Sequence, residues 1–352
     1  PRLVWRSVNA GSSQQIAFFV DPNVAQNQKS YHDTDVIGLH LSGINFDNFN
    51  VDRWNGASWT TITNVSSDLT GTFERSGHSI QPNATGTPWY LHHNEAKGWR
   101  IRLDDGAGNV KTVKILSNTE GTWGKRTDQK RPVLILDTGL SDYSTLPASG
   151  TFSLIPDSVT VIIDALDNTQ QGDIAFRIDI AIQETQENYF QIGTMLYGHV
   201  AFPAPQYQRG RSITFEANIQ QEITLDNMFY ARKMSNGARR VSLAWTEPID
   251  TTQIEARDPN YWQLTNTAGA HPVANYGDAA SVMQGIARQL NNKIPIVYLP
   301  RIAKNQDTQV INRRMDHVYC RLDSPVTMES VLGEEGTSEA FRVGTINLIE
   351  VE

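Results

Sequence analysis

From Asp226 to Asp250 the chain reads DNMFYARKMSNGARRVSLAWTEPID, two strand-like runs on either side of Ser235-Asn236-Gly237. Asn-Gly tolerates the positive φ angles of a tight turn, so the block predicts a hairpin turning at Asn236 and Gly237. Beyond the turn Val241, Leu243 and Trp245 alternate with Ser242, Ala244 and Thr246, the two-residue period of a half-buried strand. The block holds no nucleophile, metal cluster or phosphate loop. Arg239 and Arg240, with Arg313 and Arg314 further on, form small basic patches. They read most simply as solvated hairpin ends and otherwise as interface contacts.

The same punctuation runs through the whole chain. Strand-like runs at Gln15 to Val20, Asp35 to Leu41, Trp59 to Thr63, Trp99 to Leu103, Asn109 to Leu116, Pro132 to Leu136, Gly150 to Leu154, Ser158 to Asp164 and Asp173 to Gln183 are separated by turn material such as Asn55-Gly56 and Asp104 to Asn109. Short strands with turn signals at such spacing predict a sandwich or barrel. Residues 1–190 are expected to form one β-sandwich, with an excursion from Ser66 to Lys97. Residues 191–352 are expected to form a β-rich α+β domain. Its one helix is placed at 278–291, where Ala279, Val282, Met283, Ile286 and Leu290 make a single apolar stripe behind a capping Asp278. Closing strands are expected at Ile296 to Leu299, His317 to Leu322 and Phe341 to Glu350.

A chain of 352 residues can build two real cores. Its formal charge of −8 argues against broad attraction to nucleic acid or anionic membrane. No apolar run approaches the eighteen or so residues of a membrane span. Cys320 is the only cysteine, so an intrachain disulfide is excluded, and in the run HVYCRL it reads as a buried strand thiol. The opening PRLVWRSVNAG lacks the apolar core of a secretory signal, and a leading proline is what removal of methionine would leave.

The chemistry of known sites is thin. There is neither a phosphate loop with trailing Lys and Ser/Thr nor a Gly-x-Ser-x-Gly elbow. His92-His93 with Glu95 is the nearest approach to a metal cluster, but adjacent histidines on a strand point to opposite faces. Asp104-Asp105-Gly106 and the stretch from Asp164 to Asp173 carry oxygen ligands of the kind Ca²⁺ takes, without EF-hand spacing, and the same residues serve ordinary turns. Paired carboxylates for glycoside hydrolysis need no sequence proximity, so the 38 acidic residues are no evidence for them. Trp54, Trp59, Trp89, Tyr90 and Trp99 are more informative. Trp54 and Trp59 flank Asn55-Gly56, where a cross-strand aromatic pair would stabilise a hairpin and an exposed one would contact a glycan. The expectation is a non-enzyme without metal or cofactor.

The segment Asn188 to Asn218, NYFQIGTMLYGHVAFPAPQYQRGRSITFEAN, resembles a pattern in minor tail proteins of tailed bacteriophages, in which a strand of the form IG-x-hydrophobic-hydrophobic-x-G closes a jelly-roll domain. The basic block from Arg232 to Trp245, IPIVYLP at Ile294 to Pro300 and the closing RLDSPVTMESVLGEEGTSEAFRVGTINLIEVE are similar to the same group. The first 180 residues resemble it only in kind, as a galactose-binding-like sandwich. The resemblance implies a tail-tip or baseplate protein with a tail-tube-like second domain. Such a protein is assembled in the host cytoplasm and resident in the virion, where it forms rings of three or six copies with other tail proteins as neighbours. DNA would pass transiently through an acidic lumen, without membrane insertion. A carbohydrate-binding host-recognition module, reading glycan through Trp54 and Trp59, is the alternative.

Overall fold

The structure, a computed structural model, describes residues 4–19, 37–54, 57–67, 69–83, 89–123, 131–137, 145–163, 175–199, 212–216, 219–223, 229–233, 238–243, 249–250, 295–300, 308–311, 317–325, 328–332, 339–343 and 345–351. Over these residues the chain is mainly β, in several antiparallel sheets. The helix expected at 278–291 lies outside the described residues.

The chain divides into two compact units. Pro1–Asp33, Ile37–Gly198 and Ala303–Arg314 make the first, and Thr34–Val36, His199–Ile302 and Met315–Glu352 the second. The sequence reading divides the chain once, after residue 190. The structure adds a return, because a strand near residue 310 pairs into the first unit.

The first unit opens with β1 (Trp5–Arg6), β2 (Gln14–Phe19), β3 (Ile37–Ser42), β4 (Phe49–Trp54) and β5 (Trp59–Val65). It continues through β6 (Thr70–Ser76), β7 (Ser79–Asn83), β8 (Trp89–Leu91), β9 (Arg100–Asp104), β10 (Val110–Asn118), β11 (Gly121–Trp123), β12 (Leu134–Leu136) and β13 (Ser149–Ile155). Then come β14 (Ser158–Ile163), β15 (Ala175–Ile180), β16 (Gln191–Ile192) and β17 (Thr194–His199). The second unit contributes β18 (Ser212–Glu216), β19 (Ile219–Ile223), β20 (Phe229–Lys233), β21 (Ala238–Leu243), β22 (Ile249–Asp250) and β23 (Ile296–Tyr298). β24 (Thr308–Ile311) returns to the first unit, and β25 (Val318–Leu322), β26 (Met328–Leu332), β27 (Glu339–Val343) and β28 (Ile346–Glu350) complete the second.

In the first unit, two four-stranded sheets, β17-β3-β14-β24 and β2-β15-β4-β5, share one core. Leu39, Leu41, Val159 and Val161 come from one sheet, Phe49, Val51, Ile178 and Ile180 from the other. Alternation along each strand sends these apolar residues to a common side. Phe46 sits between Phe49 and Phe190, edge-on to both at 5.6 and 5.8 Å. Where β3 ends, Gly43 (φ +64°) lies so close to Gly193 that an added Cβ would meet its Cα at 3.1 Å.

Residues 70–155 depart from the single sandwich expected of the first half. Six of their strands close into a barrel in the order β10-β12-β7-β6-β13-β9, around a second core that includes Phe73, Ile80, Trp99, Ile101, Leu103, Ile115 and Phe152. The barrel is inserted between β5 and β14, which belong to the two different sheets below it. It docks on the rest of the unit through polar contacts. Arg100 pairs with Glu187, and Arg102 donates to Asp47 and Gln183, each at 2.9 Å. Ser153 donates to Asp47 at 3.0 Å, and Thr112 to the carbonyl of Glu184 at 3.0 Å.

In the second unit β18-β21-β28-β25-β23 form a five-stranded sheet, and β22-β27-β26 a three-stranded one. The single closing strand expected from Phe341 to Glu350 is two strands, β27 and β28, in different sheets, with Gly344 and Thr345 between them. A glycine inside a strand pattern often marks such a break.

Candidate functional site

The block that opened the sequence reading folds differently from a hairpin at Asn236-Gly237. Those two residues lie outside the described ones, but the strands on either side, β20 and β21, do not pair with each other. β20 pairs with β19, from Ile219↔Lys233 to Ile223↔Phe229, and β21 pairs with β18, from Ser212↔Ser242 to Glu216↔Ala238. β19 and β20 therefore form a two-stranded ribbon that lies in sequence between the paired strands β18 and β21. The two residues have the composition of a turn, but β20 and β21 each pair with a strand earlier in the chain.

Arg239 corrects the reading of a solvated hairpin end. β21 runs inside the five-stranded sheet, and Arg239, Val241 and Leu243 form its buried face. The Arg239 side chain is paired with Glu350 at 2.7 Å, both 6% exposed. It also donates to the carbonyl of His317 at 3.1 Å, and its amide donates to Glu350 at 3.0 Å. Cys320 lies beside Glu350 in the register, and burial pushes its thiol up to about 12, which leaves it inert as a nucleophile at neutral pH. Arg240, on the opposite face, is 41% exposed and bonds Asp323 at 2.8 Å. Arg313 and Arg314 lie outside the described residues.

Both outer strands of the five-stranded sheet, β18 and β23, have one neighbour each, so each presents an open edge among the described residues. Beyond β18 and β21, the ladder of β19 and β20 pairs with no other strand among them. These edges and this ribbon are the candidate assembly surfaces. The signal for them in the sequence was present but dispersed, because SITFE and IVY are ordinary strand patterns and only long-range pairing makes them edges.

Trp54 and Trp59 meet across the β4-β5 ladder, rings 5.4 Å apart. The guanidinium of Arg177 lies 4.7 Å above the Trp59 ring and pairs with Asp52 at 2.6 Å. Both indoles are half-buried, and one face of Trp59 is occupied by Arg177. This is the cross-strand packing arrangement expected of a hairpin pair. Elsewhere Glu95 is turned inward to accept the amide of His92 at 2.9 Å, and among the described residues no three His, Cys, Asp or Glu side chains converge as metal ligands. Asp104 and Asp105 cap their own loop, accepting the amides of Gly106 at 2.7 Å and Ala107 at 2.8 Å. The acidic stretch from Asp164 to Asp173 lies outside the described residues. No helix among those described is long and apolar enough to cross a membrane.

One concave feature escaped the sequence reading. A groove of about 320 Å³ on the barrel is lined by the polar Thr70, Thr72, Arg102, Asp104, Thr151 and Ser153 together with Gly71 and Phe152. Its signal was the alternation of hydroxyl residues with apolar ones in TGTF and TFSL, indistinguishable by itself from ordinary strand composition.

The chain matches no family model, no curated protein and no solved structure.

Proposed function

We propose that the protein is a structural component of a phage tail, at the tail tip, the baseplate or a related ring, and acts through interfaces rather than chemistry. In this reading the two sheets over one core are a jelly-roll or galactose-binding-like sandwich, and the second unit is a tail-tube-like domain. Copies close a ring of three or six, with other tail proteins docked on its faces. The observation that carries the reading is the ribbon. A two-stranded ladder is marginal in water on its own, so the ladder of β19 and β20, which pairs with no other strand among the described residues, supports a neighbour that covers it. The edges of β18 and β23, open among the described residues, would supply surfaces for head-to-tail contacts, which close into rings when the rotation permits. Distributed around a ring, a charge of −8 per copy would line an acidic passage through which DNA slides without sticking.

Replacing Ile219 to Lys233 by a two-residue turn tests the ribbon's role. The five-stranded sheet keeps its pairing in this variant, so thermal unfolding should be little changed while assembly is lost. Assembly that survives the shortening would remove the ribbon from the account.

A further inference from the structure

The barrel and the two-sheet body beside it have separate cores, and no residue of one apolar cluster belongs to the other. What joins them is a surface of opposite charges. The body presents Asp47, Glu184 and Glu187, and the barrel Arg100, Arg102 and Lys111. Arg102 donates to Asp47 and Gln183, each at 2.9 Å, and Ser153 to Asp47 at 3.0 Å. Besides its pair with Glu187, Arg100 donates to the carbonyl of Ile44 at 3.3 Å. Strand β10 shows how closely this seam is shut. Thr112 and Val113 are consecutive and so point to opposite sides of the strand, yet both are buried. Val113 faces the barrel core, and Thr112 faces the seam, where its hydroxyl donates to the carbonyl of Glu184 at 3.0 Å.

We propose that the barrel is a hinged module, which undocks from the two-sheet body as an intact unit and pivots where the chain crosses from β5 to β6 and from β13 to β14. Polar contacts between parts of one chain behave like a transient interface, so relative motion follows unless a large apolar contact forbids it. The two crossings lie side by side. The Leu154 amide donates to the carbonyl of Leu69 at 3.0 Å, and the Ser67 hydroxyl to the carbonyl of Leu154. Two adjacent passages of chain act as one pivot. The seam contacts that open each involve a side chain, whereas the ladders that close the barrel lie within it.

The docked state is also incompletely satisfied. One carboxylate oxygen of Glu184 and Nε of Arg102 are buried without a hydrogen-bond partner among the described residues. Burial holds the Glu184 carboxyl above its ordinary range, against the pull of Thr112, Lys111 and Arg102. Water admitted on opening would satisfy both groups, which offsets part of the ion pairing lost. The seam lies wholly within the first unit, so the hinge does not depend on ring assembly.

The test is thiol labelling of the folded full chain carrying Thr112→Cys or Val113→Cys. Cys320, the only native thiol, is buried and gives a slow background measured in the unaltered chain. Opening of the seam exposes position 112 and leaves position 113 inside the closed barrel. Thr112→Cys should therefore be labelled roughly tenfold or more faster than Val113→Cys. Adding Asp47→Asn should accelerate labelling at 112 roughly tenfold and leave 113 unchanged, as expected for weakened charge-assisted hydrogen bonds. Adding Glu184→Gln should slow labelling at 112, because it removes a desolvated charge from the docked state. Equal rates at 112 and 113 would overturn the proposal. So would acceleration of both positions alike by Asp47→Asn, or acceleration at 112 by Glu184→Gln. Hydrogen exchange of the unaltered chain makes the same comparison without substitution. The Lys114 amide, which donates to the Gln186 side chain at 2.9 Å, should exchange well ahead of the amides between β9 and β13. Simultaneous exchange would overturn the hinge.

Discussion

Arg239 and Glu350 place a charge pair where the strand pattern puts apolar residues, with Val241 and Leu243 on the same buried face. Two charges removed from water are tolerable only while each satisfies the other, so breaking the pair costs more than the pair contributes. Arg239→Met or Glu350→Gln alone should destabilise the second unit by about 3–5 kcal/mol, whereas the double change Arg239→Met, Glu350→Met should recover most of the loss. Denaturant unfolding of the three variants checks this. His40 makes a second residue-scale case. It is buried, bonds Thr160 at 2.8 Å, and burial lowers its pKa from 6.5 to about 4. The folded state thus holds this ring neutral while the unfolded chain takes up a proton below 6.5. Stability from this group is complete above pH 6.5 and declines as pH falls towards 4, by roughly 3 kcal/mol in all. His40→Gln should flatten that part of the stability profile relative to the unaltered chain; parallel profiles would refute it. Neither residue announces its burial in the sequence, because arginine and histidine are ordinary on exposed positions and their partners Glu350 and Thr160 lie 111 and 120 residues away.

At the scale of elements, the strands themselves were legible and their partners were not. The expected runs Trp59 to Thr63, Trp99 to Leu103, Asn109 to Leu116, Gly150 to Leu154 and Ser158 to Asp164 coincide with β5, β9, β10, β13 and β14 to within two residues at their described ends, because alternation and flanking turns are local properties. Pairing is not local. Nothing in Thr308 to Ile311 says that it joins Thr160 to Ile163, and nothing in the run from Ser66 to Lys97 says that a barrel closes there. Asn236-Gly237 likewise carries only a local expectation of a hairpin, whereas β20 and β21 pair with β19 and β18. Of the candidate site, the basic block was visible while its open edges were not. Closure of the barrel does leave one sharp local requirement. Gly150 has φ +145°, and an added Cβ would stand 2.0 Å from the carbonyl oxygen of Asp104. Gly150→Ala must therefore push β13 away from β9, and should cost about 3 kcal/mol or more through backbone strain and lost ladder bonds. Hydrogen exchange should show protection lost first at β13 and β9; a variant of unchanged stability would contradict this close contact.

At the scale of the whole molecule, the first unit has two cores joined by a polar seam, and the second has, among the described residues, a sheet with open edges and a separate two-stranded ladder. A chain with one buried cysteine and no intrachain disulfide holds these parts by burial and pairing alone. An edge strand left bare is a liability for a free protein and a joint for an assembled one. That contrast makes oligomeric state the property on which the account turns. The mass of the purified protein by light scattering, with negative-stain images of the same sample, measures it directly. The account predicts closed rings of three or six copies. A protein that remains monomeric at high concentration, and stays so when mixed with tail proteins that would template it, would contradict the ring.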